Sequence, residues 1–177
     1  MLGKDPELKF ACISYSGDLA QKHARDCRAI MMSDWYEEIF PKTRLAGKNG
    51  GAEMNFRTTR GGGRFSTSVG GTMTGLGGDI IIIDDPINAK EAASPVARET
   101  VKNWYSGTLS TRLNDKKTGS VILVMQRLHE DDLAGHLIEA GGWKHLSLPA
   151  IAEADEVIPL GHGRHKLRRI GDVLHPE

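Results

Sequence analysis

Two runs of apolar residues constrain this chain more than any other feature. Residues 80–83 are four consecutive isoleucines, and residues 121–125 read Val-Ile-Leu-Val-Met. Neither run alternates with polar residues, as a strand with one wet face does. Both are short and bounded by turn chemistry, so they read as strands covered on both faces. Burying one isoleucine side chain is worth roughly 1.5–3 kcal/mol. Four together rival the roughly 5–15 kcal/mol net stability of a whole domain. Both runs are therefore expected to be central strands of a mainly parallel sheet.

The rest of the chain supplies alternating helices and strands, the pattern of an α/β domain. Residues 8–16, "LKFACISYS", read as a buried strand. A helix follows, capped by Asp18, with Leu19, His23 or Ala24, Cys27, Ile30 and Met31 on one face. Residues 34–41 read as a short helix stopped near Pro41, with Trp35, Tyr36, Ile39 and Phe40 as core. Glycine is abundant, 21 of 177 residues, and clusters between Gly47 and Gly78. There "RGGGR" reads as the turn of a hairpin. Ser94-Pro95 marks the start of another helix, an N-cap followed by proline at the first helical position. "DDLAGHLIEAGG" is a helix capped by Asp131 or Asp132 and stopped near Gly141. "WKHLSLPA" reads as a last strand, and residues 151–177 as a polar, irregular segment.

Composition excludes several classes of function. Lys+Arg and Asp+Glu both number 23, so bulk charge offers no case for a nucleic-acid or membrane partner. Cys12 and Cys27 stand in no metal-ligand spacing, which argues against zinc and a disulfide framework and fits a reducing compartment. No apolar run has the length of a membrane span, and residues 1–10 lack a signal-peptide pattern. No serine or cysteine sits in a nucleophile elbow or triad context. His129, Glu130, Asp131 and Asp132 invite a metal reading, but adjacent residues rarely converge on one ion, and helix capping explains the aspartates. Arg57, Arg60 and Arg64 around the glycine turn, and Arg164, Lys166, Arg168 and Arg169 near the end, read as solvated basic segments, with phosphate contact as the alternative.

The chemistry is concentrated where the two apolar runs end. Ligands of open α/β sheets gather at the carboxyl ends of the strands. Asp84 and Asp85 stand at one such end, Gln126 and Arg127 at another. An apolar strand ending in two acidic residues is the Walker B pattern of P-loop ATPases. There Asp84 would serve the Mg²⁺ ion and Asp85 would orient or deprotonate the attacking water. Gln126 can hydrogen-bond a γ-phosphate or that water, and Arg127 can offset charge developing during phosphoryl transfer. The bland alternative is a good turn after a buried strand for Asp-Asp-Pro, and pairing with a surface carboxylate for Arg127. The phosphate-cradling partner motif, G-x-x-x-x-G-K-[ST], does not occur in the sequence.

The ordered blocks "ISYSGDLAQKHARDCRAIM", "GTMTGLGGDIIIIDDPIN", "WYSGTLSTRL" and "SVILVMQRLHEDDLAGHL" resemble the large subunit of the terminase of tailed bacteriophages. "WKHLSLPAIAE" and "LHPE" resemble that family's connecting segment. The resemblance implies a three-layer, P-loop NTPase-like (RecA/ASCE-type) α/β fold with a mainly parallel sheet, incomplete because the P-loop strand is absent. It implies a partial ATPase domain over residues 1–150 and a connecting segment over 151–177 toward a nuclease domain. Asp84 and Asp85 become the Walker B pair, with Asp84 as metal residue, and Gln126-Arg127 the coupling motif. In the complete protein the cofactors would be ATP and Mg²⁺. The partners would be double-stranded DNA, the terminase small subunit, the portal protein and further copies of the chain, with no membrane, in the cytoplasm of the host bacterium. The chain would begin after the P-loop and by itself hydrolyse ATP negligibly. The strand at 121–125 would then have an unpaired edge that favours self-association. A helicase-like ATPase fragment and a non-catalytic interaction module are the competing expectations.

Overall fold

A computed structural model describes residues 1–47, 50–73 and 75–175. Thr74 and the last two residues of the "LHPE" block lie outside the described residues. The chain forms two units, Met1–Ala140 and Gly141–Glu177.

The first unit is built on a six-stranded mixed sheet. In chain order its elements are β1 (Lys9–Ser14), α1 (Gly17–Met31), α2 (Asp34–Ile39), β2 (Gly51–Ala52), β3 (Asn55–Arg57), β4 (Gly63–Ser68), β5 (Ile80–Asp84), α3 (Ala89–Ala92), α4 (Pro95–Gly107), β6 (Ser120–Val124) and α5 (Leu133–Ala140). The sheet order is β2-β3-β4-β1-β5-β6. Pairs β4-β1, β1-β5 and β5-β6 are parallel, whereas β2-β3 and β3-β4 are antiparallel. The sheet is thus mostly parallel, as the apolar runs require.

One face of this sheet carries the core. Ala11, Ile13, Ile81 and Ile83 pack with Met73, Trp104 of α4 and Leu109, while Val121 and Leu123 lie against the same cluster. Side chains alternate along each strand, so Cys12, Ile82 and Asp84 point to the opposite face. There α1 packs on β1 and β4. The arrangement is compatible with a three-layer α/β fold.

The isoleucine run behaves as expected: Ile81 and Ile83 are fully buried within β5. The run at 121–125 does not. It forms β6, which ends at Val124 and is the edge strand rather than a central one. Only Val121 and Leu123 are covered, and Ile122 and Val124 are 39% and 54% exposed. The outer edge of β6 is unpaired among the described residues. The physical reason is reach: α1 covers β1 and β4 and stops short of β6.

Other local expectations shift. Ser16, not Asp18, caps α1, its hydroxyl accepting from the Leu19 N–H at 3.3 Å. Asp18 instead sits in the first turn, where its charge suits the helix dipole. In α2 only Tyr36 is buried, and Trp35 and Ile39 face solvent because a helix this short presents one stripe inward. Ser94 caps α4 as expected. The β3-β4 hairpin turns at Gly61, whose φ of 90° favours glycine, and a Cβ on Gly62 would strike the Pro6 carbonyl.

In the second unit, residues 143–150 form no strand. Order appears instead where an irregular segment was expected: β7 (Glu156–Gly161) and β8 (Arg164–Arg168) form an antiparallel hairpin. Arg168 is buried, and its guanidinium donates to the carbonyls of Pro149 and Asp172. Arg169 pairs with Asp155 at 2.8 Å. Two of the four clustered cations are therefore internal fasteners, while Arg164 and Lys166 remain exposed.

Candidate functional site

The parallel register brings the carboxyl ends of four strands into one row. Ser14 pairs with Ser68 on one side and Asp84 on the other, and Asp84 pairs in turn with Val124. The loops leaving these tips carry Asp85, Gln126 and Arg127.

Asp85 is the joint of the row. Its N–H donates to the Val124 carbonyl at 2.9 Å, and its carbonyl accepts from the Tyr15 N–H at 3.1 Å. One backbone unit thus ties β5 to both neighbours. Its carboxylate Oδ1 accepts from the Gln126 N–H at 3.3 Å. Asp85 achieves this at φ 43°, in the left-handed region that side-chain-bearing residues rarely occupy. Aspartate tolerates that region better than most residues because its short polar side chain can hydrogen-bond locally. Strain of this kind clusters at functional sites, where the surrounding structure holds it in place.

Asp84 stands beside it with a side chain that is 41% exposed. Its Oδ2 lies 3.4 Å from Nε2 of His23 on α1. The carboxylate is accessible, with the His23 imidazole beside it. Gln126 is exposed at the neighbouring tip.

Arg127 is engaged elsewhere. Its Nε lies 3.1 Å from Oδ1 of Asp132, and its Nη2 donates to the Glu130 carbonyl at 3.1 Å. Asp132 is fully buried and accepts from the N–H groups of Leu128, His129 and Gly135. The bond from Gly135 makes Asp132 the cap of α5. Gly135 itself is required there, because a Cβ would strike the Glu130 carbonyl. The structure therefore brings Asp84, Asp85 and Gln126 to one row and turns Arg127 into the loop that begins α5.

That loop is also tied to α4. Asp131 pairs with Lys102 at 2.8 Å and with Arg98 at 3.5 Å. The Lys102 hydrogen bond, ahead of smaller contributions, holds the Asp131 carboxyl below the usual carboxylate range. Asp131 and Asp132 are thus fasteners, and no group of three or more His, Cys, Asp or Glu residues is arranged to hold a metal ion among the described residues.

The other reactive groups are committed structurally. Burial pushes the Cys12 thiol up despite the opposing Arg64 guanidinium, whose Nε lies 3.1 Å from Sγ. A thiol kept protonated is a poor nucleophile. Arg60 pairs with Glu7 at 2.7 Å, and Arg57 is exposed. Sequence reasoning missed His23 as a neighbour of Asp84. No local spacing links them; the link is the pairing of Ser14 with Asp84, which sets the start of α1 beside the β5 tip.

Comparison with family models and with curated proteins finds no match to this chain.

Proposed function

We propose that this chain carries the Walker B half of a nucleotide-hydrolysing DNA-packaging motor of the terminase large-subunit kind, with a P-loop NTPase-like fold. The observation that carries the reading is the acidic pair joined to Gln126 at adjacent strand tips, beside a strand with an open edge. In such a fold the strand leading into the phosphate-binding loop would pair with the outer edge of β6. Its helix would cover Ile122 and Val124. The two exposed features of β6 then have one explanation.

The donors at the β5 tip fit magnesium. This ion takes hard oxygen ligands, using one or two carboxylates and completing its shell with substrate phosphates and waters. Asp84 offers such a carboxylate, half exposed and next to a second one. With Asp84 holding it, magnesium would supply positive charge to offset the charge that develops on the phosphates. Asp85 would orient or deprotonate the attacking water, with a side chain one methylene shorter than glutamate and hence a closer approach of the backbone. Gln126 would hydrogen-bond the γ-phosphate or the water. Arg127, locked to Asp132, would transmit the state of the tips to α5 rather than touch the nucleotide. Double-stranded DNA, the small subunit, the portal and further copies of the chain are the partners this proposal carries, in the host cytoplasm. No helix among the described residues is long and apolar enough to cross a membrane.

The test is nucleotide hydrolysis by a polypeptide in which a strand–loop–helix segment bearing G-x-x-x-x-G-K-[ST] precedes this sequence. Magnesium-dependent phosphate release that falls about 100-fold or more in both Asp84→Ala and Asp85→Ala supports the proposal. Release that neither substitution changes would overturn it.

A further inference from the structure

We infer that His23 is a positioning residue for the Asp84 carboxylate: from α1 its Nε2 stands 3.4 Å from Oδ2 and leaves the remaining oxygen free for a divalent cation. The inference rests on the proposed role of Asp84 as the metal-holding residue. It is carried by contact and placement. His23 Nε2 and Asp84 Oδ2 are 3.4 Å apart, and both side chains are only partly exposed, 36% and 41%.

The placement of His23 follows from the fold. Ser14 of β1 pairs with Asp84, Ser16 caps the helix two residues later, and α1 runs back over the sheet. Ala20 and Ala24, buried on either side of His23, seat that stretch of α1 against the strands. Two small residues let the helix approach closely enough for an imidazole to reach the strand tip. The ring is thus fixed by a packed helix rather than by a loop, which is what precise orientation of a carboxylate requires.

A carboxylate that binds a cation is usually oriented by a second hydrogen-bonding group, and losing that group typically costs 10–100-fold in metal affinity. Without His23 the Asp84 carboxylate would lose that neighbour on a side chain that is 41% exposed. Ser14 lies beside it on β1 but is itself buried. Of the charged and titratable groups on either side, Arg64 places its Nε on Cys12 Sγ, and Asp85 accepts from the Gln126 N–H.

Manganese alone is a suitable probe, because it replaces magnesium at oxygen sites and broadens nearby amide resonances. The chain is titrated with Mn²⁺ at one fixed pH while signals of residues 83–88 are followed. His23→Leu keeps the bulk of the ring and removes the donor, and is expected to weaken binding about 10-fold or more. His23→Gln restores a donor and is expected to recover most of that loss. Unchanged signals far from the tip establish that each variant is folded. Should His23→Leu fail to fold, His23→Ala replaces it in the same comparison. Binding to the donor-free variant as tight as to the parent, or tighter, would overturn the inference. So would a His23→Gln variant no better than His23→Leu. Asp84→Asn separates the two levels: broadening that survives it would remove the metal role of Asp84, and the inference with it.

Discussion

A left-handed backbone costs an ordinary residue about 1–2 kcal/mol, and glycine almost nothing. Asp85 occupies that region at φ 43° while its two backbone hydrogen bonds join three strands. Asp85→Gly is therefore expected to leave stability within about 0.5 kcal/mol of the parent, whereas Asp85→Ala loses about 1 kcal/mol or more. Urea denaturation of the two variants checks this. Asp132 makes a second residue-scale contrast. Asp132→Ala removes a helix cap and strands the N–H groups of Leu128 and His129, a loss expected to exceed about 2 kcal/mol. Arg127→Ala leaves those bonds in place and is expected to cost less than half as much, by the same denaturation measurement.

Among the elements, β6 has the clearest behaviour to predict. Ile122 and Val124 are exposed, and the outer edge has no partner among the described residues. An apolar open edge templates pairing with another chain, and an outward lysine discourages it. The chain is expected to self-associate, and Val124→Lys to lower the scattered mass while shifting stability by only about 0.5 kcal/mol or less. Dynamic light scattering over a concentration series checks this, and a concentration-independent monomer in the parent would contradict it. The link from the β6–α5 loop to α4 responds to pH. Asp131 is held below its ordinary value of 3.8, chiefly by the Lys102 hydrogen bond, and Lys102 is held above 10.5 chiefly by the same bond. A depressed carboxyl stabilises the fold above its unfolded pKa and loses that contribution as acid protonates it below 3.8. The raised amine contributes fully below 10.5 and loses its share as alkali deprotonates it. The stability difference between parent and Asp131→Asn is thus expected to be flat between these limits, to vanish in acid, and to fall in alkali to the share that Arg98 keeps, as denaturation at a series of pH values would show.

How much of this was legible follows from what each pattern encodes. The isoleucine run announced β5 because burial on both faces leaves no room for alternation. The same logic misplaced β6, since an uninterrupted apolar run records the cover a strand is suited to, not the cover that is present. Capping chemistry at Ser94 was local and therefore readable. The contact of His23 with Asp84 was not, because it depends on strand register. The β7–β8 hairpin was hidden by its polarity. Its signal was the turn, where Gly161, His162 and Gly163 all have positive φ.

For the molecule as a whole, the tips of β5 and β6 supply carboxylates and an amide but no phosphate cradle. A magnesium–nucleotide complex has nothing to hold its phosphates without one. The chain as it stands is expected to release phosphate from ATP no faster than its Asp84→Ala variant, in a coupled phosphate assay. A rate well above that control would mean that the chain completes a site in some other way. The sheet also has a hub: β1 pairs in parallel with both β4 and β5. The bond from the Lys9 N–H to the Asp79 carboxylate already spans 70 residues. At synthesis rates of about 5–20 residues per second, the ribosome takes roughly 4–14 seconds to deliver that second neighbour. For that interval β1 is a sticky ribbon with its future companion not yet made, so holding chaperones should raise the yield of native chain in cell-free translation.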